Sequence, residues 1–352
     1  MENAIRPGQP WLDTNGQPIQ AHGASMFYEN GTFYWYGEDK SHTRKKGKIW
    51  TWGVRCYSSR DLYNWKDEGH LIAPTPGDKR SILHPNRRLD RPHIIKNAQT
   101  GKYVCWLKFN DKAHFAVLTA DRFLGPYTVA KDFFQPYGRK CGDFDLAVEE
   151  ATGAAYLYVE MDHRDVIAAR LSEDYTDVSG PCSPVYQGLR PPLSREGVAH
   201  FMRGGKHYLL TSGMMGYVPN PSEIAVADDW LGPYAVQGDP HVNDVSSASF
   251  NSQVSAVFRH PEKEELYIAM ADRWVPDYVM TKEKYDSMLR AITSNYDHSV
   301  KATWKERLAL MTMPMMGSAD TSRAAYVWLP LRFDGDRALI EWKDAWKTED
   351  YQ

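Results

Sequence analysis

An all-β fold, a five-bladed β-propeller, is predicted for this 352-residue chain from a recurring strand pattern, a matching repeat length and almost no helical periodicity. Short runs rich in aromatic and aliphatic residues each follow a Gly or charged turn, which is typical of the second strand of a hairpin. These runs span residues 32–36, 102–106, 155–158, 206–210 and 265–268. They predict similar units arranged around one axis.

The spacing of polar residues upstream of these runs supports the repeat. One polar residue precedes each run, namely His22, Asp90, Asp143, Glu196 and Gln253. The last four are separated by 53, 53 and 57 residues, close to the length of known propeller blades. Because the innermost strand of each blade starts near the axis, these residues are expected to meet in one central funnel.

The chain is expected to form a single catalytic domain over residues 1–352, with no appended carbohydrate-binding module. The predicted blades span residues 20–75, 88–135, 141–190, 194–240 and 250–345. Residues 282–310 resist the strand pattern, and residues 284–292 have helix-compatible spacing. We interpret this stretch as an insertion that shapes the rim of the funnel.

Charge and hydropathy exclude several function classes. The formal net charge is −3, and the short basic cluster of Arg44, Lys45, Lys46 and Lys48 is interpreted as a solvated loop, so a nucleic-acid partner is not expected. No segment approaches the ~20 apolar residues of a membrane helix, so no membrane partner is expected. Residues 1–10 lack a signal-peptide pattern, which predicts a cytoplasmic protein, or a secreted one if a leader has been removed.

The cysteine pattern indicates neither a zinc site nor a disulfide framework. The four cysteines, Cys56, Cys105, Cys141 and Cys182, are widely spaced and form no CxxC motif. Cys56 and Cys105 lie among strand-like neighbours and are predicted to be core thiols.

The polar residues at the repeat positions suit glycosidic cleavage. That reaction needs a proton donor for the leaving oxygen and, in inverting enzymes, a base about 6.5–9.5 Å away that activates water. Carboxylates are costly at the starts of buried strands, so a functional cluster explains them well. The alternative is that they cap strand ends or pair with Arg91 and Arg195.

Several segments resemble family 43 glycoside hydrolases, specifically the branch of exo-β-1,3-galactanases and related β-galactosidases. The matching segments cover residues 22–23, 34–38, 90–92, 142–143, 195–196, 211–213, 219–220, 252–253, 271–274 and 326–330. Each is weak alone, but their order and spacing are specific, and the likeness covers essentially the whole chain.

The resemblance implies catalytic roles for three residues. Glu196 resembles the general acid, and Asp143 resembles the neighbour that raises its pKa and orients it. Most of the family has an aspartate base where His22 stands, whereas this branch is expected to use a glutamine, matching Gln253, that faces the attacking water. His22 and Glu38 are competing candidates for the base, since an imidazole side chain in general changes its charge near neutral pH.

The resemblance also implies a set of sugar-binding residues, which are Glu38, Asp90, His22, Tyr217, Arg273 and Trp274. Trp274 and Tyr217 could stack on the apolar face of a pyranose ring, or belong to the core. The chain departs from the galactanase-like pattern at two places. Asp90 stands where a glutamate is usual, and Met215-Gly216-Tyr217 replaces Thr-Gly-Trp, which implies a differently shaped first subsite.

The predicted function is an inverting exo-acting glycoside hydrolase that releases galactose from β-1,3-galactan or β-galacto-oligosaccharides. Two alternatives stay open: a galactofuranosidase or arabinofuranosidase of the same fold, and a sugar-binding propeller without catalysis. The expected partner is an oligosaccharide or a glycan side chain. No cofactor is expected to be required, although relatives often carry a structural calcium ion in the axial channel; no EF-hand-like cluster of oxygen ligands occurs in the sequence.

Overall fold

The computed structural model describes residues 2–311, 313–314 and 319–352, so part of the predicted fifth blade lies outside the described residues. The described strands form five sheets, four of them four-stranded and one five-stranded. Their inner strands contact one another in a closed ring. The predicted five-bladed β-propeller is therefore confirmed.

The first two blades are antiparallel sheets whose strands follow chain order. The first blade contains β1 (His22–Glu29), β2 (Thr32–Glu38), β3 (Val54–Ser59) and β4 (Lys66–Ile72). The second blade contains β5 (Leu89–Lys96), β6 (Tyr103–Phe109), β7 (His114–Ala120) and β8 (Thr128–Phe134). In each blade the first strand is innermost and the last is outermost.

The third and fourth blades repeat this arrangement. The third contains β9 (Cys141–Glu149), β10 (Ala154–Met161), β11 (Asp165–Leu171) and β12 (Val178–Tyr186). The fourth contains β13 (Arg195–Arg203), β14 (Lys206–Gly213), β15 (Ser222–Ala227) and β16 (Ala235–Gly238). The predicted aromatic runs lie in the second strand of each blade, as expected from the hairpin pattern.

The fifth blade differs because its outermost strand precedes its inner strand in the chain. It contains β17 (His241–Val242), β18 (Gln253–Arg259), β19 (Tyr267–Arg273), β20 (Ala325–Asp334) and β21 (Arg337–Glu341). Strand β17 pairs in parallel with β21, on the side opposite to β20.

Between β19 and β20 the described part of the chain contains two α-helices, α1 (Lys282–Thr293) and α2 (Trp304–Met311). The predicted helix is confirmed by α1, which begins where the Thr281 side chain accepts a hydrogen bond from the Lys284 backbone N–H. Met288 of α1 is buried with Met215 and Val218 in one apolar cluster. The insertion therefore supports the loop that follows β14.

The apolar core lies between adjacent blades, where the faces of neighbouring sheets meet. Between the last and first blades, Trp35 lies 4.6 Å from Trp328 by ring centroids, and Trp11 lies 5.0 Å from Trp328. The backbone of Ile5 pairs with that of Trp346. Since each buried aromatic side chain removes about 150–250 Å² from water, this cluster holds the ring of blades closed.

Two smaller predictions concern the cysteines and the membrane. All four cysteines are free thiols, and Cys56 and Cys105 are buried as predicted. Neither α1 nor α2 has the length and hydropathy that a membrane crossing would need, and no other helix of the described residues does.

Candidate active site

A cavity of about 330 Å³ opens at the propeller axis, where the inner strands begin. Each inner strand starts opposite the end of the second strand of its blade, as in the pairs Asp90–Lys108 and Glu196–Ser212. The cavity is lined by Glu38, Arg88, Asp90, Arg91, Lys108, Asn110, Gly142, Asp143, Glu160, His163, Glu196, Met214, Gly216, Tyr217, Gln253 and Trp274. Residues from all five blades or their loops thus contribute to one polar site.

Seven of the nine predicted site residues lie on the wall of this cavity. They are Glu38, Asp90, Asp143, Glu196, Tyr217, Gln253 and Trp274. His22 and Arg273 are the two that do not reach it. The structure therefore brings together residues that are separated by more than two hundred positions in the sequence.

Glu196 is a partly buried carboxyl at the start of β13. Burial raises its pKa to about 8, with a further contribution from the negative charge of Asp143. A carboxyl with such a pKa is mostly protonated at neutral pH. Glu196 is thus equipped to donate a proton to a leaving oxygen.

Asp143 is a buried carboxylate held by two cations. Its oxygens lie 2.9 Å from Arg91 Nε and 2.6 Å from Lys108 Nζ, and they accept a 2.9 Å hydrogen bond from the Gly197 backbone N–H. Burial would raise the pKa of Asp143, but Arg91 and Lys108 outweigh it and hold the pKa well below the usual range. Asp143 therefore stays charged while the neighbouring Glu196 stays protonated.

The backbone of Gly197 makes this arrangement possible. Its φ of +61° lies in the left-handed region, and an added Cβ would come within 2.7 Å of Ser212 Oγ. A residue with a side chain would be strained at this position. Glycine here lets the chain present both the N–H to Asp143 and the preceding carboxyl to the cavity.

Gln253 is oriented by three hydrogen bonds. Its Oε1 accepts from Trp274 Nε1 at 3.0 Å, and its Nε2 donates to Glu196 Oε1 at 3.2 Å and to Ser212 Oγ at 3.0 Å. Because the indole N–H can only donate, it determines which end of the amide faces Glu196. Gln253 thus contacts the carboxyl of Glu196 directly.

A second acidic group lies on the other side of the cavity, where Glu38 and Asp90 share Lys40. Lys40 Nζ is 2.5 Å from Glu38 Oε2 and 3.7 Å from Asp90 Oδ1. Burial raises the pKa of Glu38 to about 8; Lys40 opposes the rise and Asp90 adds to it. Asp90 also accepts hydrogen bonds from Trp50 Nε1, at 2.5 Å, and from Asn110 Nδ2. These oxygens are suited to bind sugar hydroxyls.

Aromatic rings form one wall of the cavity. The ring centroids of Tyr217 and Trp274 are 5.2 Å apart, and those of Tyr217 and Trp50 are 6.2 Å apart with planes 27° from parallel. Such rings offer flat apolar surface next to the carboxylates, as expected for contact with the C–H face of a sugar.

His22 does not reach the cavity, and the expectation that it binds sugar or acts as the base is not met. Its side chain is fully buried, with Nδ1 2.9 Å from Asp272 Oδ1 and Nε2 3.2 Å from the Tyr326 hydroxyl. The imidazole is also stacked on Tyr326. Both ring nitrogens are therefore occupied within the interface between the first and fifth blades.

Arg273 is likewise corrected from a sugar-binding to a structural position. Its guanidinium donates to the backbone carbonyls of Phe250 and Asn251, at 2.8 and 3.3 Å. It also lies 5.7 Å from the ring of Trp342. Because these groups engage the guanidinium outside the cavity, Arg273 fixes the loop before β18 instead of contacting a ligand.

Sequence reasoning missed cavity-lining residues that include Arg88, Lys108, Glu160 and His163. It also missed Lys40 and Trp50, which contact the cavity carboxyls Glu38 and Asp90 without belonging to the lining. Lys108 and Glu160 lie at the ends of β6 and β10, the same place in the blade that Glu38 occupies in β2. Applying the repeat to the second strands would have identified both. Lys40 and Trp50 lie in the loop after β2, for which the repeat carries no signal.

Glu160 and His163 form a polar pair beside Glu196. Glu160 is buried and accepts a hydrogen bond from the His163 backbone N–H, while His163 Nδ1 lies 3.4 Å from Glu160 Oε2. The contact with Glu160 raises the pKa of the exposed His163. Gly142 faces this carboxylate, and a Cβ at Gly142 would collide with it.

The described residues contain no group of three or more His, Cys, Asp or Glu side chains positioned to hold a metal ion. The structural calcium considered from the sequence would need ligands of another kind, such as backbone carbonyls. Two of the cavity carboxyls are instead paired with cations, Glu38 with Lys40 and Asp143 with Lys108 and Arg91.

The fold and the site together define a five-bladed propeller with an axial cavity in which a protonated carboxyl neighbours a charged one. The sequence model of "Glycosyl hydrolases family 43" matches residues 16–283. The chain therefore belongs to glycosyl hydrolase family 43. A search of curated proteins found no match.

Solved structures of this family resemble the chain over nearly its whole length. A β-1,3-galactosidase, BT0265, is 30% identical with a TM-score of 0.80 and matches 99% of this chain. This chain spans only 65% of the length of that protein. A second β-1,3-galactosidase, BT3683, solved with galactodeoxynojirimycin, is 25% identical with a TM-score of 0.77, and the match covers 97% of this chain and 100% of that one.

An exo-β-1,3-galactanase from Phanerochaete chrysosporium, solved with β-1,3-galactotriose, is similar to the same extent. It is 25% identical with a TM-score of 0.77, and the match covers 99% of this chain and 68% of that one. The resemblance inferred from the sequence motifs is thereby confirmed.

Proposed function

We propose that the protein is an inverting exo-acting glycoside hydrolase that removes terminal galactose from β-1,3-galactan or β-galacto-oligosaccharides. The observation that carries this proposal is the pairing of a carboxyl of raised pKa, Glu196, with the permanently charged Asp143 in one axial cavity. The choice of galactose is supported by the similar solved structures, which are two β-1,3-galactosidases and a galactanase with bound β-1,3-galactotriose. The cavity volume of about 330 Å³ suits a single terminal sugar, since it lies at the small end of ligand cavities.

In this proposal each group has a defined task. Glu196 donates its proton to the glycosidic oxygen as the bond to the sugar breaks, and Asp143 keeps that proton on Glu196 beforehand. Glu38 and Asp90 bind hydroxyls of the galactose, while Tyr217 and Trp274 contact its apolar face. The partner in this proposal is the glycan substrate.

The water-activating group is proposed to be Gln253, acting as its imidic-acid tautomer: the side-chain nitrogen accepts a proton from water as the water oxygen bonds to the anomeric carbon, while Glu196 protonates the departing oxygen. Glu38 is assigned to hydroxyl binding instead, because Lys40 pairs with one of its oxygens and the Arg91 backbone N–H donates to the other at 2.9 Å. The remaining lone pairs can accept hydrogen bonds from hydroxyls, but these contacts make the carboxylate a weaker base. Gln253 would have to release Glu196 when a glycosidic oxygen takes its place, because acid and base flank the bond at about 6.5–9.5 Å in inverting enzymes. If a Gln253→Ala variant keeps its activity and a Glu38→Gln variant loses it, Glu38 is the base instead.

The Glu196→Gln variant tests the acid. Loss of general acid catalysis typically costs about 10²–10⁴-fold, so cleavage of β-1,3-galactobiose should fall by at least about 100-fold while galactose still binds by calorimetry. Glu223→Gln, on β15 of the same blade and outside the cavity lining, is the matched control and should retain activity. Unchanged turnover of the Glu196 variant would refute the assignment.

Stability provides a second readout of the same variant. A carboxyl whose pKa is raised on folding stabilises the fold below its unfolded pKa and loses that contribution as pH rises toward about 8. Glutamine does not titrate, so Glu196→Gln should unfold at a higher temperature than the parent at pH 7.5, and the gain should shrink toward pH 4.5. Proton NMR of the first product formed would report whether the anomeric configuration inverts.

A further inference from the structure

The basic cluster that the sequence suggested was a solvated loop borders a second cavity beside the proposed active site. This cavity also measures about 330 Å³ and shares Arg88 and Tyr217 with the axial cavity. Its lining consists of Thr43, Arg44, Gly47, Lys48, Ile49, Trp50, Asn86, Arg88, Tyr217, Ala319 and Thr321. Three of these described residues are cationic and none is acidic.

No described acidic residue neutralises the cations of this cavity. Among the described residues, Arg44, Lys48 and Arg88 form no ion pair, and Arg44 donates only to the backbone carbonyls of Ser41 and Thr43, at 2.8 and 2.5 Å. The adjacent Arg87, which does not line the cavity, pairs with Asp111 at 3.3 Å. Unpaired guanidinium and ammonium groups around a concavity attract an anion.

The aromatic rings connect this cationic cavity to the axial one. The guanidinium of Arg88 lies 5.1 Å from the ring of Trp50, which is stacked near Tyr217. Trp50 Nε1 donates in turn to Asp90 on the axial side. A glycan that contacts these rings can therefore extend from one cavity into the other.

The two cavities differ in whether their cations are compensated. In the axial cavity, Arg91 and Lys108 are paired with the carboxylate of Asp143, so they are not free to bind an anionic sugar substituent. The second cavity offers guanidinium groups, whose planar donors match a carboxylate or sulfate. We propose, on the basis of the proposed function, that the second cavity binds a carboxylate or sulfate group of the glycan, so that acidic galactosides are the preferred substrates.

The test compares matched acidic and neutral substrates. In one series, β-1,3-galactobiose is compared with the same disaccharide oxidised to a carboxylate, or sulfated, at C6 of the leaving residue. In the other, the terminal galactose carries a glucuronic acid or a glucose branch at C6. We expect a higher kcat/KM for the acidic member of at least one series, and this preference should weaken as the salt concentration rises. The substituent, carboxylate or sulfate, that gives the higher kcat/KM identifies the preferred anion.

Two variants and one control locate the effect. Lys48→Gln and Arg44→Gln should each lower the acidic-to-neutral ratio of kcat/KM by about two- to fivefold, the range for partly exposed charge pairs. Lys46→Gln, in the same loop but outside the lining, should leave the ratio unchanged. A ratio of one or less in both series, or an equal fall in the Lys46 variant, would overturn the proposal.

A binding experiment separates this proposal from the hydrolase proposal. If no galactoside is cleaved, calorimetric titration of the Glu196→Gln variant with the acidic and neutral disaccharides still measures the anion preference. Tighter binding of the acidic disaccharide that depends on Lys48 supports the second cavity even then. Equal affinity for both disaccharides refutes it whatever the catalytic result.

Discussion

Replacing Asp143 by Asn tests whether one buried charge sets the protonation of the proposed acid. Asparagine keeps the shape of the side chain and an oxygen for the hydrogen bond from Gly197, but it removes the negative charge. Arg91 and Lys108 remain, and both lower the pKa of Glu196. The variant therefore loses a group that raises this pKa and keeps two that lower it.

The size of the effect follows from electrostatics. A unit charge about 4–8 Å away changes an ionisation free energy by about 2–4 kcal/mol at an effective dielectric constant of about 20. That corresponds to a fall of at least about 1.5 pH units in the pKa of Glu196. With a starting pKa of about 8, the protonated fraction at pH 8 should drop by about 15-fold or more, but at pH 5 by only about twofold or less.

The assay is kcat/KM for β-1,3-galactobiose between pH 4.5 and 9, where the alkaline limb reports the acid in the free enzyme. A dinitrophenyl galactoside serves as the comparison substrate, because its leaving group departs without protonation. The alkaline limb of the pH profile for this substrate should therefore not move. Asp39→Asn is the control variant, since Asp39 is equally buried and ion-paired with Arg55 outside the cavity. An alkaline limb that stays in place in the Asp143 variant would refute the reasoning.

Two further substitutions probe the packing and orientation of the site. Gly142→Ala would force a methyl group against the Glu160 carboxylate and should destabilise the protein by about 1–3 kcal/mol in calorimetric unfolding. Gly77→Ala is the control, because an added Cβ at Gly77 would meet no other atom within 4 Å, and it should change the unfolding temperature little. An equal loss of stability in the two variants would contradict the packing argument. Trp274→Phe removes the indole donor that orients Gln253. Because one hydrogen bond contributes about 1 kcal/mol, kcat should fall by about fivefold. A wild-type kcat in this variant would show that the amide needs no such support.

The repeat made much of the site predictable from the sequence. Asp90, Glu196 and Gln253 open the inner strands of their blades, and a propeller brings such strand starts to one axis. Asp143 lies close to the start of β9, within an irregularity between the pairs Cys141–Met161 and Phe144–Val159. Despite this irregularity in strand register, the Asp143 side chain still lines the axial cavity.

The same reasoning failed for His22, although it pairs with Glu38 just as Asp90 pairs with Lys108. In the first blade it is the second strand that supplies the cavity carboxylate, while the imidazole is buried against Asp272 and Tyr326. Strand register is visible in the sequence pattern. Which member of a pair faces the cavity depends on the neighbouring blade.

The all-β propeller, its five units and most carboxylates of the site were predictable from the sequence, because alternating strands and their repeat are local properties of the chain. Three features became visible only in the folded molecule: Lys108 and Arg91 hold Asp143 charged, Trp274 orients Gln253, and an unpaired basic loop borders a second cavity. These features depend on contacts between blades and loops that are far apart in the chain. Contacts between residues that are distant in the chain produce no repeating pattern in a single sequence, so they could not be predicted from it.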